Sequence, residues 1–93
     1  MSTKTFKVGE YGFNPVIKIF TKKNHLEVQK YNWQGEHAES RTYSYDAIHN
    51  LELDMCEEVT SYYASKMVDW VHSTKEYKAT KRELDPFTSY TFN

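Results

Sequence analysis

Residues 46–73 read DAIHNLELDMCEEVTSYYASKMVDWVHS, and neither Gly nor Pro interrupts these 28 positions. Apolar residues recur there at three- and four-residue intervals, the spacing that gathers side chains on one face of an α-helix. Ile48, Leu51, Met55, Val59, Tyr62 and Trp70 fall on one stripe, which predicts a long amphipathic helix lying across a sheet. A second stripe, Leu53, Cys56, Tyr63, Ala64, Met67 and Val71, runs beside it and leaves Asp54, Glu58, Ser61, Ser65, Asp69 and His72 to water. As one helix the segment is about 42 Å long. A compact domain of this chain length is only about 32 Å across, so the helix must overhang, bend or meet a partner. Ser44 and Asp46 are the candidate N-caps. Asp54-Met55-Cys56-Glu57 also has the spacing of a capping box, so a second helix starting at Asp54 is the alternative. The absence of a breaker around Asp54 favours one helix.

Upstream, the punctuation is that of an antiparallel meander. Thr5–Val8 reads as a short first strand before a connection broken by Gly9, Gly12 and Pro15. Val16–Thr21 is a β-branched run, Lys22-Lys23-Asn24 a polar turn, and His25–Trp33 the next strand, with a turn at Gln34-Gly35-Glu36. Ala38–Tyr45 then alternates. Glu39, Arg41, Tyr43 and Tyr45 share one face, and Ala38, Ser40, Thr42 and Ser44 share the other. Either Tyr43 and Tyr45 pack under the helix, or they join Tyr31 and Trp33 in an exposed aromatic surface; the first is favoured. The predicted fold is therefore α+β, with a three- or four-stranded antiparallel meander, one long helix and a C-terminal aromatic tail. Residues 1–93 are read as a single domain, with 75–93 as a C-terminal arm whose apolar residues Leu84, Phe87, Tyr90 and Phe92 either fold back over Met67 and Val71 or leave that surface to a partner.

Composition narrows the classes of function. Aromatic residues make up 16% of the chain, with eight Tyr, five Phe and two Trp, so the core must be built largely from rings. The single Cys56 excludes an internal disulfide, and no apolar run has the length of an export or membrane-spanning segment, so a cytoplasmic location without membrane attachment is expected. A net charge of −1 is unlike that of a sequence-independent nucleic-acid binder. The charge is nevertheless segregated. Six Lys face only Glu10 and Glu27 in residues 1–30, whereas six acids face Lys66 alone between Asp46 and Asp69.

Reactive constellations are weak. His49, Glu52 and Cys56 lie within two turns of the predicted helix, but a solvated helix surface accounts for them better than a metal site, and no metal or cofactor is expected. Cys56 falls on an apolar stripe, where a thiol is ordinarily a small hydrophobe rather than a nucleophile. Adjacent carboxylates such as Glu57 and Glu58 diverge by about 100° on a helix and do not share a substrate. Catalysis is not expected.

Two binding readings remain. In the favoured one the chain binds a protein and forms a homodimer through the second stripe and the tail, using Tyr63, Met67, Trp70, Val71, Phe87, Tyr90 and Phe92. Asp54, Glu57, Glu58 and Asp69 add an acidic helix surface suited to a basic groove. Small tyrosine-rich domains without enzymatic motifs are frequent among bacteriophage host-takeover and anti-defence proteins, a likeness of type and size alone. The alternative is RNA or single-stranded DNA binding on the sheet, with Lys18, Lys22 and Arg41 holding phosphates while Tyr31, Trp33 and Tyr43 stack bases.

Overall fold

The computed structural model of this chain describes residues 1–8 and 15–84. Four strands, β1 (Ser2–Lys7), β2 (Val16–Thr21), β3 (His25–Tyr31) and β4 (His37–Ser44), form one antiparallel sheet in chain order. A short 3-10 turn at Tyr45–Ala47 leads into α1 (Ile48–Glu58), α2 (Ser61–Ser73) and α3 (Lys75–Leu84).

The meander is the predicted one, and its turns follow from local chemistry. Between β2 and β3, the Lys22 N–H donates to the His25 carbonyl at 2.8 Å. Between β3 and β4, the Asn32 side-chain oxygen accepts from the N–H groups of Gln34 and Glu36 at 3.0 and 2.9 Å. Gly35 closes that turn at φ 84, a conformation that Gly adopts without steric cost. Asn32 therefore ends β3 at Tyr31 and places Trp33 in the turn, two residues earlier than the alternation predicted.

Register decides which face is covered. Leu26 pairs with Thr21 of β2 and Tyr43 of β4, and Val28 pairs with Ile19 and Arg41. The inward set comprises Phe6, Ile17, Ile19, Thr21, Leu26, Val28 and Tyr43, all buried. Tyr45 is buried as well, and its hydroxyl donates to the Lys22 carbonyl at 2.5 Å. The rings thus pack under the helices while Thr42 faces outward, as favoured from the sequence. Leu51 and Met55 of α1 and Ala64, Met67 and Val71 of α2 complete the core.

The single long helix does not form. The chain breaks at Val59–Thr60, not at Asp54, and again at Thr74. Thr60 is extended at φ −151, ψ 160, and its hydroxyl oxygen caps α2 by accepting from the Tyr63 N–H at 3.2 Å. Thr74 serves two helices. Its hydroxyl donates to the Val71 carbonyl at 2.6 Å and accepts from the Tyr77 N–H at 3.3 Å. Threonine hydroxyls compete for helix backbone groups in this way, and no Gly or Pro is needed to stop the helix. Ser44 and Asp46 cap nothing; they bond to each other at 2.6 Å. With the break, α1 and α2 are about 16 and 20 Å long, short enough to lie over one sheet.

The break also resets helical phase, which overturns the two-stripe reading. Ala64, Met67 and Val71 turn toward the sheet and are fully buried, whereas Leu53 is 61% exposed, Tyr62 60% exposed, and Cys56 exposed. Residues 75–84 of the expected arm form α3; Phe87, Tyr90 and Phe92 lie outside the described residues.

Candidate functional site

The densest polar cluster ties the β4 edge to α1. Arg41 projects from β4 on the helix-facing side and donates to both Glu58 oxygens, at 2.7 and 3.1 Å, and to both Glu39 oxygens, at 3.2 and 3.0 Å. Lys30, paired with Glu39 in register, reaches Glu58 at 3.0 Å and Glu39 at 3.2 Å. Asp54, one turn before Glu58, accepts the Tyr43 hydroxyl at 2.6 Å and lies 3.6 Å from Arg41. Burial, and then the Asp54 carboxylate, push Tyr43 up to about 12. Hydrogen bonds from Arg41 and then Lys30 hold Glu39 below its ordinary range. Burial works against the Lys30 charge, but Glu58 and Glu39 outweigh it and raise its pKa.

Two of the four expected members of the acidic surface, Asp54 and Glu58, are therefore partnered by the sheet instead of lying on a solvated helix face. Glu57 and Asp69 are exposed. Turning round α1 from Asp54 come the exposed Asn50 and Glu57 and then Leu53, which lies opposite the buried Leu51 and Met55 on the outer face of the helix.

A second cluster clasps α3 to the other side of the sheet. Glu76 accepts the hydroxyls of Thr21 at 2.8 Å and Ser2 at 3.0 Å, and lies 3.5 Å from the Met1 amine. The Thr21 hydroxyl is the main reason the Glu76 carboxyl is held down at about 2. A groove of about 350 Å³ opens beside it, rimmed by Lys22, Lys23 and Lys75.

The expected nucleic-acid set is divided between faces. Lys18 and Tyr31 lie on the open face of the sheet, with the Lys18 ammonium 4.9 Å from the centre of the Tyr31 ring. Arg41 and Tyr43 point to the opposite, helix-covered face. Trp33 sits in the β3–β4 turn, and Lys22 follows β2, 3.6 Å from Glu27. The register explains the division. Leu26 faces Tyr43, so odd-numbered Tyr31 on β3 must point away from Tyr43. Tyr31, Trp33 and Tyr43 thus do not line one stacking surface.

Of the expected partner-binding residues, Met67 and Val71 are in the core and present nothing to a partner, which corrects their assignment. Tyr63 and Trp70 are half-buried and pack against the core. Tyr63 meets the Tyr62 ring edge-on at 5.3 Å, and the Lys66 ammonium lies 4.7 Å over Tyr62. Sequence reasoning missed Tyr62 as an exposed residue, and also the Glu76 clasp. A Thr inside an otherwise continuous helical pattern is the signal that locates the phase reset; for the clasp no local signal exists. His49, Glu52 and Cys56 do not come together as a metal-binding group, and no such group occurs among the described residues. No helix among these residues is long and apolar enough to cross a membrane. No family model matches the chain, and neither a curated protein nor a solved structure matches it.

Proposed function

We propose that the chain is a non-catalytic protein-binding module, of the small-inhibitor or adaptor kind, and that it meets its partner on the side where β4 and α1 lie together. One observation carries this reading: β4 is a sheet edge with exposed Ala38, Ser40, Thr42 and Ser44, and α1, which packs on β4 through Asp54 and Glu58, holds Leu53 at 61% exposure on its outer face. An open strand edge supplies backbone donors and acceptors to a partner, and a Leu buried on contact contributes roughly 1.5–3 kcal/mol. An inhibitor that works by covering its target needs a surface of this kind and no reacting group.

The reading is tested by affinity capture of the tagged protein from lysate, with and without nuclease, alongside its Leu53→Asp and Tyr31→Ala variants. The expected result is a stoichiometric protein that survives nuclease, is lost with Leu53→Asp and is kept with Tyr31→Ala. Capture of nucleic acid that Tyr31→Ala abolishes would instead assign the open sheet face as the binding surface.

A further inference from the structure

The protein-binding reading becomes specific when the two edges of the sheet are compared. The β1 edge carries exposed Lys4 and Lys7 in six residues, and lysine is a common guard against strand addition. The eight residues of β4 contain neither Lys nor Pro. On the helix-facing side of β4 the charges in contact are Glu39, Asp54 and Glu58 against Lys30 and Arg41, three acids to two bases, and the exposed Glu57 adds a fourth acid further round α1. The opposite side of the same strand is the uncharged row Ser40, Thr42 and Ser44.

We propose that β4 accepts an extended basic segment of a partner protein as a fifth strand, resting on the protein-binding reading above. A strand added there lies about 4.8 Å from β4, and its alternate side chains point to opposite faces. One set lies on the helix-covered side of the sheet, where Lys or Arg meets Glu39 and Asp54, with Glu57 further up the same flank of α1. The other set lies level with the small hydroxyl row, where β-branched residues fit. The net negative flank selects a basic occupant by charge complementarity. It also argues against a second copy joined β4 to β4, because each flank would bring its excess of acids against the other's.

The test uses the full chain and two ten-residue peptides, one alternating Val with Lys and one alternating Val with Glu, titrated by fluorescence anisotropy at low and moderate salt. Amide hydrogen exchange is read on the complex. The expected result is binding of the lysine peptide at least about tenfold tighter than the glutamate peptide, weakened by salt, with new protection at alternate β4 amides. Glu57→Lys, at an exposed position, lowers the affinity about fivefold, and Lys18→Glu on the open face leaves it unchanged. Equal binding of both peptides, no binding, or protection falling outside β4 would overturn the proposal. So would a mass above 11.1 kDa for the free chain with β4 already protected, which would assign the edge to another copy. If capture yields a partner lost with Leu53→Asp while the lysine peptide fails to bind, this inference falls and the protein-binding reading stands.

Discussion

Arg41 grips Glu58 through two nitrogens, at 2.7 and 3.1 Å, and this fork is what fastens the edge strand β4 to the first helix. The pair is partly exposed and shared with Lys30 and Glu39, so solvent screening limits what it contributes. Arg41→Ala is expected to cost about 1 kcal/mol, read as a lower urea midpoint at unchanged slope. High salt should narrow the gap to wild type. A gap that is the same at all salt concentrations would mean that packing of the Arg stem, not its charge, holds the strand.

The phase reset at Thr60 separates two residues that sequence periodicity misplaced. Met67 is fully buried and Tyr62 is 60% exposed. Met67→Asp would bury an unpaired charge and should cost more than about 4 kcal/mol, enough to unfold a domain of ordinary stability. Tyr62→Asp should shift stability by no more than about 0.5 kcal/mol. Far-UV circular dichroism and thermal melts of the two variants decide the matter; the reverse order would restore the continuous helix.

Thr74 is buried and bonded at both ends, to the Val71 carbonyl and the Tyr77 N–H. Thr74→Val keeps the shape and removes the hydroxyl, and is expected to lose about 1–2 kcal/mol in chemical denaturation. Thr60→Val, at an exposed cap, should lose about 1 kcal/mol or less. Hydrogen exchange at the Tyr77 amide should accelerate in the Thr74 variant alone.

Glu76 has its carboxyl lowered from 4.5 to about 2, chiefly by the Thr21 hydroxyl. A depressed carboxyl pKa means that the folded state holds this proton more weakly than the unfolded chain does. Its contribution is therefore complete above the unfolded value and is lost as pH falls from about 4.5 to 2. Stability of wild type measured across that window should fall more steeply than that of Glu76→Gln, and parallel curves would show that the clasp does not couple to protonation.

The meander was legible from residue order because local chemistry makes it: a β-branched run at Val16–Thr21, a polar turn after it, and alternation through β4 leave few other arrangements. The alternation also placed Glu39, Arg41, Tyr43 and Tyr45 together, as found. Helical periodicity identified the apolar positions of residues 46–73 but not where their phase breaks, since Thr60 and Thr74 stop a helix only when their hydroxyls find backbone partners. Strand parity between Tyr31 and Tyr43 depended on the register set by the Asn32–Glu36 turn, and a single residue's shift reverses it. The pairing of Arg41 with Glu58 and of Thr21 with Glu76 spans 17 and 55 positions. Composition and periodicity act over a few residues along the chain, and so they determined the elements and their apolar sides. Contacts between residues far apart in sequence exist only once those elements pack, so the tertiary structure alone decided which charges are paired and which helix residues face water.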